Sequence, residues 1–171
     1  IIWFGNRGYG AYKVNNIAEE IETFTFDEND SNQTLNDIFA IVKTSKGYWF
    51  GTSYGLSHLS GDMKMVFNES NGLPNNTIHG MLHNRNNLWL STNQGVVEFN
   101  TKHNTFRTYK QQHESEVSEF SDGASFIDPI TNVLFFGGVN GYISIVENDY
   151  MQQTYNPSIQ FNHLSIFGKE C

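Results

Sequence analysis

The chain has 171 residues, 16% of them charged and 15% aromatic, with fifteen glycines among many asparagines; acidic disordered tails and alanine-rich helical bundles do not have that composition. Ten Lys and Arg against eighteen Asp and Glu leave a net charge of −8, which opposes the phosphate-neutralising surface that nucleic acids require. The length suits one turn-rich β domain or a piece of a larger protein.

The opening Ile1-Ile2-Trp3-Phe4-Gly5 has neither the basic start nor the cleavage site of a secretion signal. No apolar run approaches the ~20 residues that cross a bilayer. With no initiator methionine, the sequence reads as an excised or processed segment, so these missing features do not locate the parent protein. One phrase recurs four times: Ile2-Trp3-Phe4-Gly5, Tyr48-Trp49-Phe50-Gly51-Thr52, Leu88-Trp89-Leu90-Ser91-Thr92 and Leu134-Phe135-Phe136-Gly137-Gly138. The central aromatics lie 46, 40 and 46 residues apart, which matches the ~40 to 50 residues of a four-stranded propeller blade. A glycine follows six residues after the aromatic at Gly55, Gly95 and Gly141, and seven after it at Gly10.

The first unit therefore begins at its second strand. The second unit is predicted as strands from Ile38 to Lys43, Gly47 to Thr52, Leu56 to Leu59 and Met63 to Phe67; the third repeats this from Thr77 to His83, Asn87 to Thr92, Val96 to Asn100 and Thr105 to Tyr109. Asn-Gly, Gly-Asp and Asn-Asn pairs occupy the joints, as hairpins require. Tyr48-Trp49-Phe50 is apolar on consecutive residues, whereas a half-exposed strand alternates. Both faces of such a strand are buried if blades stack face to face, with Gly51, Ser91 and Gly137 leaving room for a large ring opposite. A β-solenoid or a stack of unrelated hairpins is the rival reading, although such repeats are usually shorter than a four-strand unit. Residues 1–150 are thus read as all-β propeller blades, about four of them in a partial ring. Asn148 to Pro157 reads as a linker and Ile159 to Phe167 as the first strand of a following domain, with 151–171 read as linker and first strand. The single cysteine, Cys171, excludes a disulfide within the chain.

These units resemble the regulator-propeller repeat of two-component systems, which runs from a Leu-Trp-Ile-Gly-Thr-x-x-Gly-Leu phrase to a Gly-Leu-Pro-x-Asn-x-Ile phrase. Tyr48-Trp49-Phe50-Gly51-Thr52-Ser53-Tyr54-Gly55-Leu56 and Gly72-Leu73-Pro74-Asn75-Asn76-Thr77-Ile78 carry the likeness. The fourth unit, Glu119-Phe120 through Gly141, resembles the variant that closes such an array. Pro157 to Phe167 looks like the start of the immunoglobulin-like, three-tyrosine domain that comes next in that family. The resemblance implies the periplasmic sensor of a hybrid histidine kinase, commonly one that detects polysaccharide breakdown products and switches on genes for using them. Ala11 stands where the family has leucine, Ser91 replaces a glycine, and Asn15 to Asp30 replaces a shorter loop. The sequence holds no phosphoacceptor helix, ATP-binding glycine box or receiver aspartate cluster, so the kinase and phosphorelay parts are implied to lie downstream, across a membrane. The task left to this segment is binding, and no cofactor is implied.

In a propeller, the turns between second and third strands share a face with the loops between blades. That face is predicted to collect Asn6, Arg7 and Tyr9, Ser53 and Tyr54, Asn75 and Asn76, Asn93 and Gln94, and Val139 and Asn140. Aromatic rings beside amides and a guanidinium suit an oligosaccharide, which offers apolar ring faces and hydroxyls, and Arg7 is placed to grip a uronate carboxylate. Tight turns demand the same asparagines and glycines for reasons of backbone conformation alone. These turns contain no acid, which speaks against the alternative of a propeller-type lyase or glycosidase. A protein-interaction scaffold is the third reading.

His79 and His83 are expected on one face of their strand, but no cysteine or nearby acid completes a metal site. Asp27-Glu28-Asn29-Asp30-Ser31-Asn32-Gln33 places oxygens at alternate positions, yet Asn32 stands where a calcium loop needs glycine and Ile38 where it needs an acid. Glu19-Glu20-Ile21-Glu22, read as part of a loop, fixes no carboxyl pair. Gly5, Gly8 and Gly10 precede no helix and make no dinucleotide loop. An open arc exposes a sheet face at each end, expected at Ile2, Trp3 and Phe4 on one side and Leu134, Phe135 and Phe136 on the other. Self-association, most simply as a homodimer, follows from that exposure.

Overall fold

Apolar side chains at consecutive strand positions need a cover on each side, and stacked sheets supply it. The computed structural model describes residues 1–15, 17–26, 36–109, 117, 119–147, 165–166 and 169–170. Each repeat unit is one antiparallel sheet whose strands pair in chain order. The first blade comprises β1 (Ile2–Asn6), β2 (Gly10–Asn15) and β3 (Glu20–Phe24). The second comprises β4 (Ile38–Thr44), β5 (Gly47–Thr52), β6 (Leu56–Ser60) and β7 (Met63–Phe67), and the third β8 (Ile78–Asn84), β9 (Asn87–Thr92), β10 (Gly95–Asn100) and β11 (Thr105–Tyr109). The fourth holds β12 (Glu119–Ile127), β13 (Leu134–Val139) and β14 (Gly141–Ile145), while β15 (Ser165–Ile166) and β16 (Lys169–Glu170) form a separate pair. The expected linker and most of the expected strand to Phe167 lie outside the described residues.

The expected strands of the second and third blades are present, displaced by one residue at most. Trp3 pairs with Lys13, Trp49 with His58, Trp89 with Glu98 and Phe135 with Ser144. The four aromatics therefore hold equivalent positions, and β1 is a second strand, as the repeat requires. One segment departs from expectation. Glu20 to Phe24, read as loop, is the outer strand β3, paired along β2. Its sequence does not alternate cleanly, since Phe24 shares a face with Glu20 and Glu22 while Ile21 on the other face is exposed, so the strand has no clear period-2 signal. Glu22 accepts from Lys13 Nζ across that pair, at 2.8 and 3.0 Å.

Three apolar cores fill the spaces between blades. Between the first and second, Trp3, Ala11 and Phe24 meet Ile38, Phe50 and Leu59. Trp49, Leu56 and Phe67 meet Ile78, Leu90 and Phe99 between the second and third. Between the third and fourth, Trp89 and Val96 meet Phe120, Leu134, Phe136, Ile143 and Ile145. Each repeat phrase thus divides its rings: the tryptophan covers the blade ahead, and the next residue covers the blade behind. The end faces follow from the same rule. Ile2 and Phe4 are 44% and 53% exposed because no described blade precedes them. At the far end the expectation is corrected, since Leu134 and Phe136 point back into the core and are fully buried. The exposed rings there are Phe126 and Tyr142, beside half-buried Phe135.

The small residue after the aromatic pair also has a different purpose from the one expected. A Cβ on Gly51 would lie 2.8 Å from Ile78 Cγ2, and one on Gly5 would lie 2.7 Å from Ile38 Cγ2. The space serves the isoleucine that opens the next blade, and no ring fills it. In the third blade Ser91 takes this place, and its strand partner is Gly80, whereas Gly51 pairs with Ala40. A Cβ on Gly80 would come within 2.9 Å of Ser91 Oγ and 3.1 Å of Ser125 Cβ, so the two blades carry the same small-residue pair with the bulk exchanged. Gly80→Ala is expected to destabilise the protein by about 1–3 kcal/mol through overpacking, and adding Ser91→Gly should recover most of that loss. A chemical-denaturation double-mutant cycle measures it; additive effects would show that the two positions are not coupled.

His58 stacks on Trp49 with ring centroids 3.8 Å apart, and its Nε2 lies 3.1 Å from the Lys46 carbonyl oxygen. Burial holds its pKa below the ordinary histidine value; the Lys46 carbonyl opposes this and the Lys46 charge adds to it. A lowered folded-state pKa means that this contribution to stability is full above the unfolded value and is lost as pH falls through it. Thermal melts from about pH 7.5 to pH 5 should therefore fall more steeply for the parent than for His58→Gln, and parallel curves would contradict this assignment.

Candidate functional site

The turn between second and third strands is built by a threonine and a glycine. Thr52 Oγ1 donates to the Gly55 carbonyl at 2.9 Å and accepts from the Tyr54 N–H at 3.0 Å. Thr92, Gly95 and Gln94 repeat this at 2.8 and 3.1 Å. Gly55 has φ +138°, and a Cβ there would sit 2.2 Å from the Phe67 carbonyl oxygen. At Gly10 and Gly55 the outer strand passes too close for any side chain, whereas at Gly95 and Gly141 it is the backbone, at φ +100° and +151°, that favours glycine.

These turns lie beside the beginnings of the first strands, where β4, β8 and β12 run next to one another. Each first strand is irregular there. The register slips between Ile38 and Ala40, between Ile78 and Gly80, and more widely between Phe120 and Ser125. Residues at the slips leave the alternating pattern, as bulge residues do, and meet one another. His79 Nδ1 donates to Asp122 Oδ1 at 2.7 Å, and Nε2 lies 2.7 Å from Asn93 Oδ1. Arg7 donates from Nη2 to Asp122 Oδ2, and its guanidinium lies over the Phe39 ring, 5.3 Å from the centroid. Phe39 in turn stacks with His79 at 6.3 Å. One side chain from each blade, Arg7, Phe39, His79 and Asp122, thus forms a connected cluster, with Asn93 as a fifth member.

The gradient of exposure across the cluster points outward. Side-chain exposure rises from 13% for His79 to 33% for Asp122 and 72% for Arg7. A neutral His79 that donates from Nδ1 accepts at Nε2, so Asn93 then presents its NH2; a doubly protonated ring donates to both neighbours. Either way the two oxygens of Asp122 are engaged, one by Arg7 and one by His79.

Of the residues expected at this face, the structure brings Arg7 and Asn93 into the cluster. Asn6 stands exposed at the end of β1, and Tyr9 and Tyr54 are exposed on neighbouring turns. Ser53 Oγ donates to Asp37 Oδ2 at 3.4 Å. The remaining asparagines serve the backbone. Asn75 Oδ1 accepts from the Thr77 N–H at 3.1 Å, Asn76 Oδ1 accepts from the Glu69 N–H at 2.8 Å, and Asn140 holds a left-handed turn at φ 72°. Gln94 contributes its N–H to the Thr92 turn.

Three sequence expectations meet a different arrangement at this site. The turns hold no acid, but Asp122 and Asp37 reach the same face from the first strands. The guanidinium assigned to a uronate is already paired with Asp122. The bulge at His79 breaks the alternation that was to set it beside His83, and among the described residues no group of three or more His, Cys, Asp or Glu is arranged to hold a metal ion. The acidic run from Asp27 to Gln33 lies outside the described residues. Phe39, His79 and Asp122 were not among the predicted site residues; Phe39 and His79 share the place directly before Ala40 and Gly80 in the repeat, and Asp122 stands two residues before Ala124 within the wider slip of the fourth blade.

A second polar cluster faces away from this one. Buried Glu147 accepts from Asn84 Nδ2 at 3.0 Å and pairs with Arg85 Nε at 3.4 Å, clasping the end of β14 to the β8–β9 turn. Nearby Glu98 is held above the ordinary carboxyl pKa mainly by burial; Arg107 opposes this and Glu147 adds to it.

No protein-family model matches the chain. Histidine kinase P4 of Formosa agariphila is 28% identical over 164 residues, which are 92% of this chain and 12% of that protein. A solved chain described as the extracellular domain of a hybrid two-component system of B. thetaiotaomicron is similar with a TM-score of 0.72 and 26% identity, over 87% of this chain and 20% of that one. A second such extracellular domain from the same organism has a TM-score of 0.57 at 19% identity, over 83% and 18% of the two chains. Sqt1 of Saccharomyces cerevisiae, at 16% identity and a TM-score of 0.52, shares the fold alone. The chain spans a fifth or less of the histidine-kinase and two-component relatives.

Proposed function

We propose that this chain is a propeller segment of the extracytoplasmic, periplasmic sensor of a hybrid two-component histidine kinase. It binds an oligosaccharide at the face where the blades converge and passes that event to a kinase elsewhere in the parent protein, which controls transcription through a phosphorelay. The observation that carries the binding site is the four-blade cluster of Arg7, Phe39, His79 and Asp122. A ligand seated on it touches every blade at once, so occupancy stabilises one arrangement of blades over others, as differential binding must for signalling. Asn93 lies within the cluster, and Asn6, Tyr9, Tyr54, Asn75, Gln94 and Asn140 flank it on the same side.

The ion pair favours neutral sugars over uronates, because a ligand carboxylate would meet Asp122 already neutralising Arg7. Hydroxyl pairs bridge such a cation and anion without leaving a charge unpaired. Glycan-array and calorimetric titrations of the intact sensor should identify a saccharide whose affinity falls roughly tenfold or more, ~1.4 kcal/mol, in Arg7→Ala, His79→Ala and Tyr54→Ala, with little change in melting temperature. Undiminished binding in all three variants would place the site elsewhere.

The segment in isolation is further proposed to self-associate. Ile2 and Phe4 at one end, and Phe126, Phe135 and Tyr142 at the other, form apolar faces of the kind that the interior blades bury. Sedimentation velocity at micromolar concentration should show dimers or larger species. A monomer with native near-ultraviolet circular dichroism would refute this.

A further inference from the structure

The crevice between the first and second blades is less filled than the equivalent space between the second and third. Strand pairing makes Leu59 the counterpart of Phe99, and Lys13 the counterpart of His58. Between the second and third blades, Phe99 packs edge-on to Trp49 at 5.5 Å and His58 stacks on the same indole at 3.8 Å. Between the first and second, leucine is smaller than phenylalanine, and Lys13 is drawn aside by Glu22. A cavity of about 330 Å³ remains, lined by Trp3, Phe24, Tyr48 and Leu59, with Lys13, Glu22 and Asp62 among its polar groups.

The ring centroids of Phe24 and Tyr48 each lie 4.9 Å from that of Trp3. The Trp3 indole N–H is buried and has no hydrogen-bond partner among the described residues, whereas Trp49 Nε1 donates to Thr44 Oγ1 at 3.1 Å.

We infer that this crevice is a second binding site, for one neutral pyranose ring. The aromatic groups offer the apolar face against which the C–H side of a sugar packs. Glu22 and Asp62 accept from hydroxyls, and Lys13 donates to them. The Lys13 ammonium is already neutralised by Glu22, so an anionic sugar would bury a charge without a free counter-ion. The volume lies at the lower end of the ~300–1,000 Å³ of small-molecule sites, which suits one ring of a chain whose remainder stays in solvent. The crevice stands apart from the cluster of Arg7, Phe39, His79 and Asp122 at the blade mouth and needs none of its residues.

Tryptophan fluorescence provides the test, because Trp49 and Trp89 are buried and Trp3 alone of the three tryptophans lines the crevice. Titrating the 171-residue chain with glucose, galactose, cellobiose and maltose to about 50 mM should give a saturable emission change with at least one of them, in the millimolar range. Glucuronate should give none. Leu59→Phe places the third blade's ring in the crevice and should abolish the change at an equal or higher melting temperature. Asp62→Ala, at the rim, should weaken it several-fold, while Arg7→Ala and His79→Ala leave it intact. The inference is overturned if no neutral sugar gives a saturable change. It also fails if Leu59→Phe and Asp62→Ala both retain the response, or if only the mouth variants remove it.

Discussion

The structure rests on the insertion of one blade's second-strand aromatic into the face of the next blade. Trp3, Trp49 and Trp89 each reach into an inter-blade core, and the residue after each one faces the opposite way. Removing a large apolar ring from water on both sides of a sheet is a major stabilising contribution for a blade that has little hydrophobic interior of its own. Stability is therefore held between blades more than within them, and a blade without a neighbour exposes what its equivalents bury.

The same constraint explains the glycine and threonine phrases. A second strand pressed against the next blade leaves no room for Cβ at Gly5 or Gly51, and the close return of the outer strand leaves none at Gly55. The third blade shows that the requirement concerns summed volume: Ser91 is tolerated because Gly80 gives back the space that Ala40 occupies in the second blade. A departure from the repeat phrase at one position is offset on the paired strand.

The two proposed binding sites lie where the repeat is broken. Slips of register at the beginnings of the first strands release Phe39, His79 and Asp122 from the alternating pattern, at the end where side chains of all four blades meet. Smaller side chains and a diverted lysine leave the crevice beside Trp3. Both sites consist of residues whose counterparts in other blades differ, so each is local to a particular blade or pair of blades.

The sequence alone determined the propeller-blade fold, the strand phase of the second and third blades and the equivalence of Trp3, Trp49, Trp89 and Phe135, because a sustained period with consecutive apolar residues has few solutions other than stacked four-stranded sheets. It also placed Arg7 and Asn93 at the face where the blades converge, since turn positions follow directly from strand phase. It could not distinguish those two from Asn75, Asn76 and Asn140, whose amides serve the backbone, because turn chemistry and ligand recognition select the same residue types. Tertiary structure decided the rest. The union of Arg7, Phe39, His79 and Asp122 joins residues up to 115 positions apart, and it depends on register slips and blade curvature, which are set by packing between sheets and leave no local periodic signature.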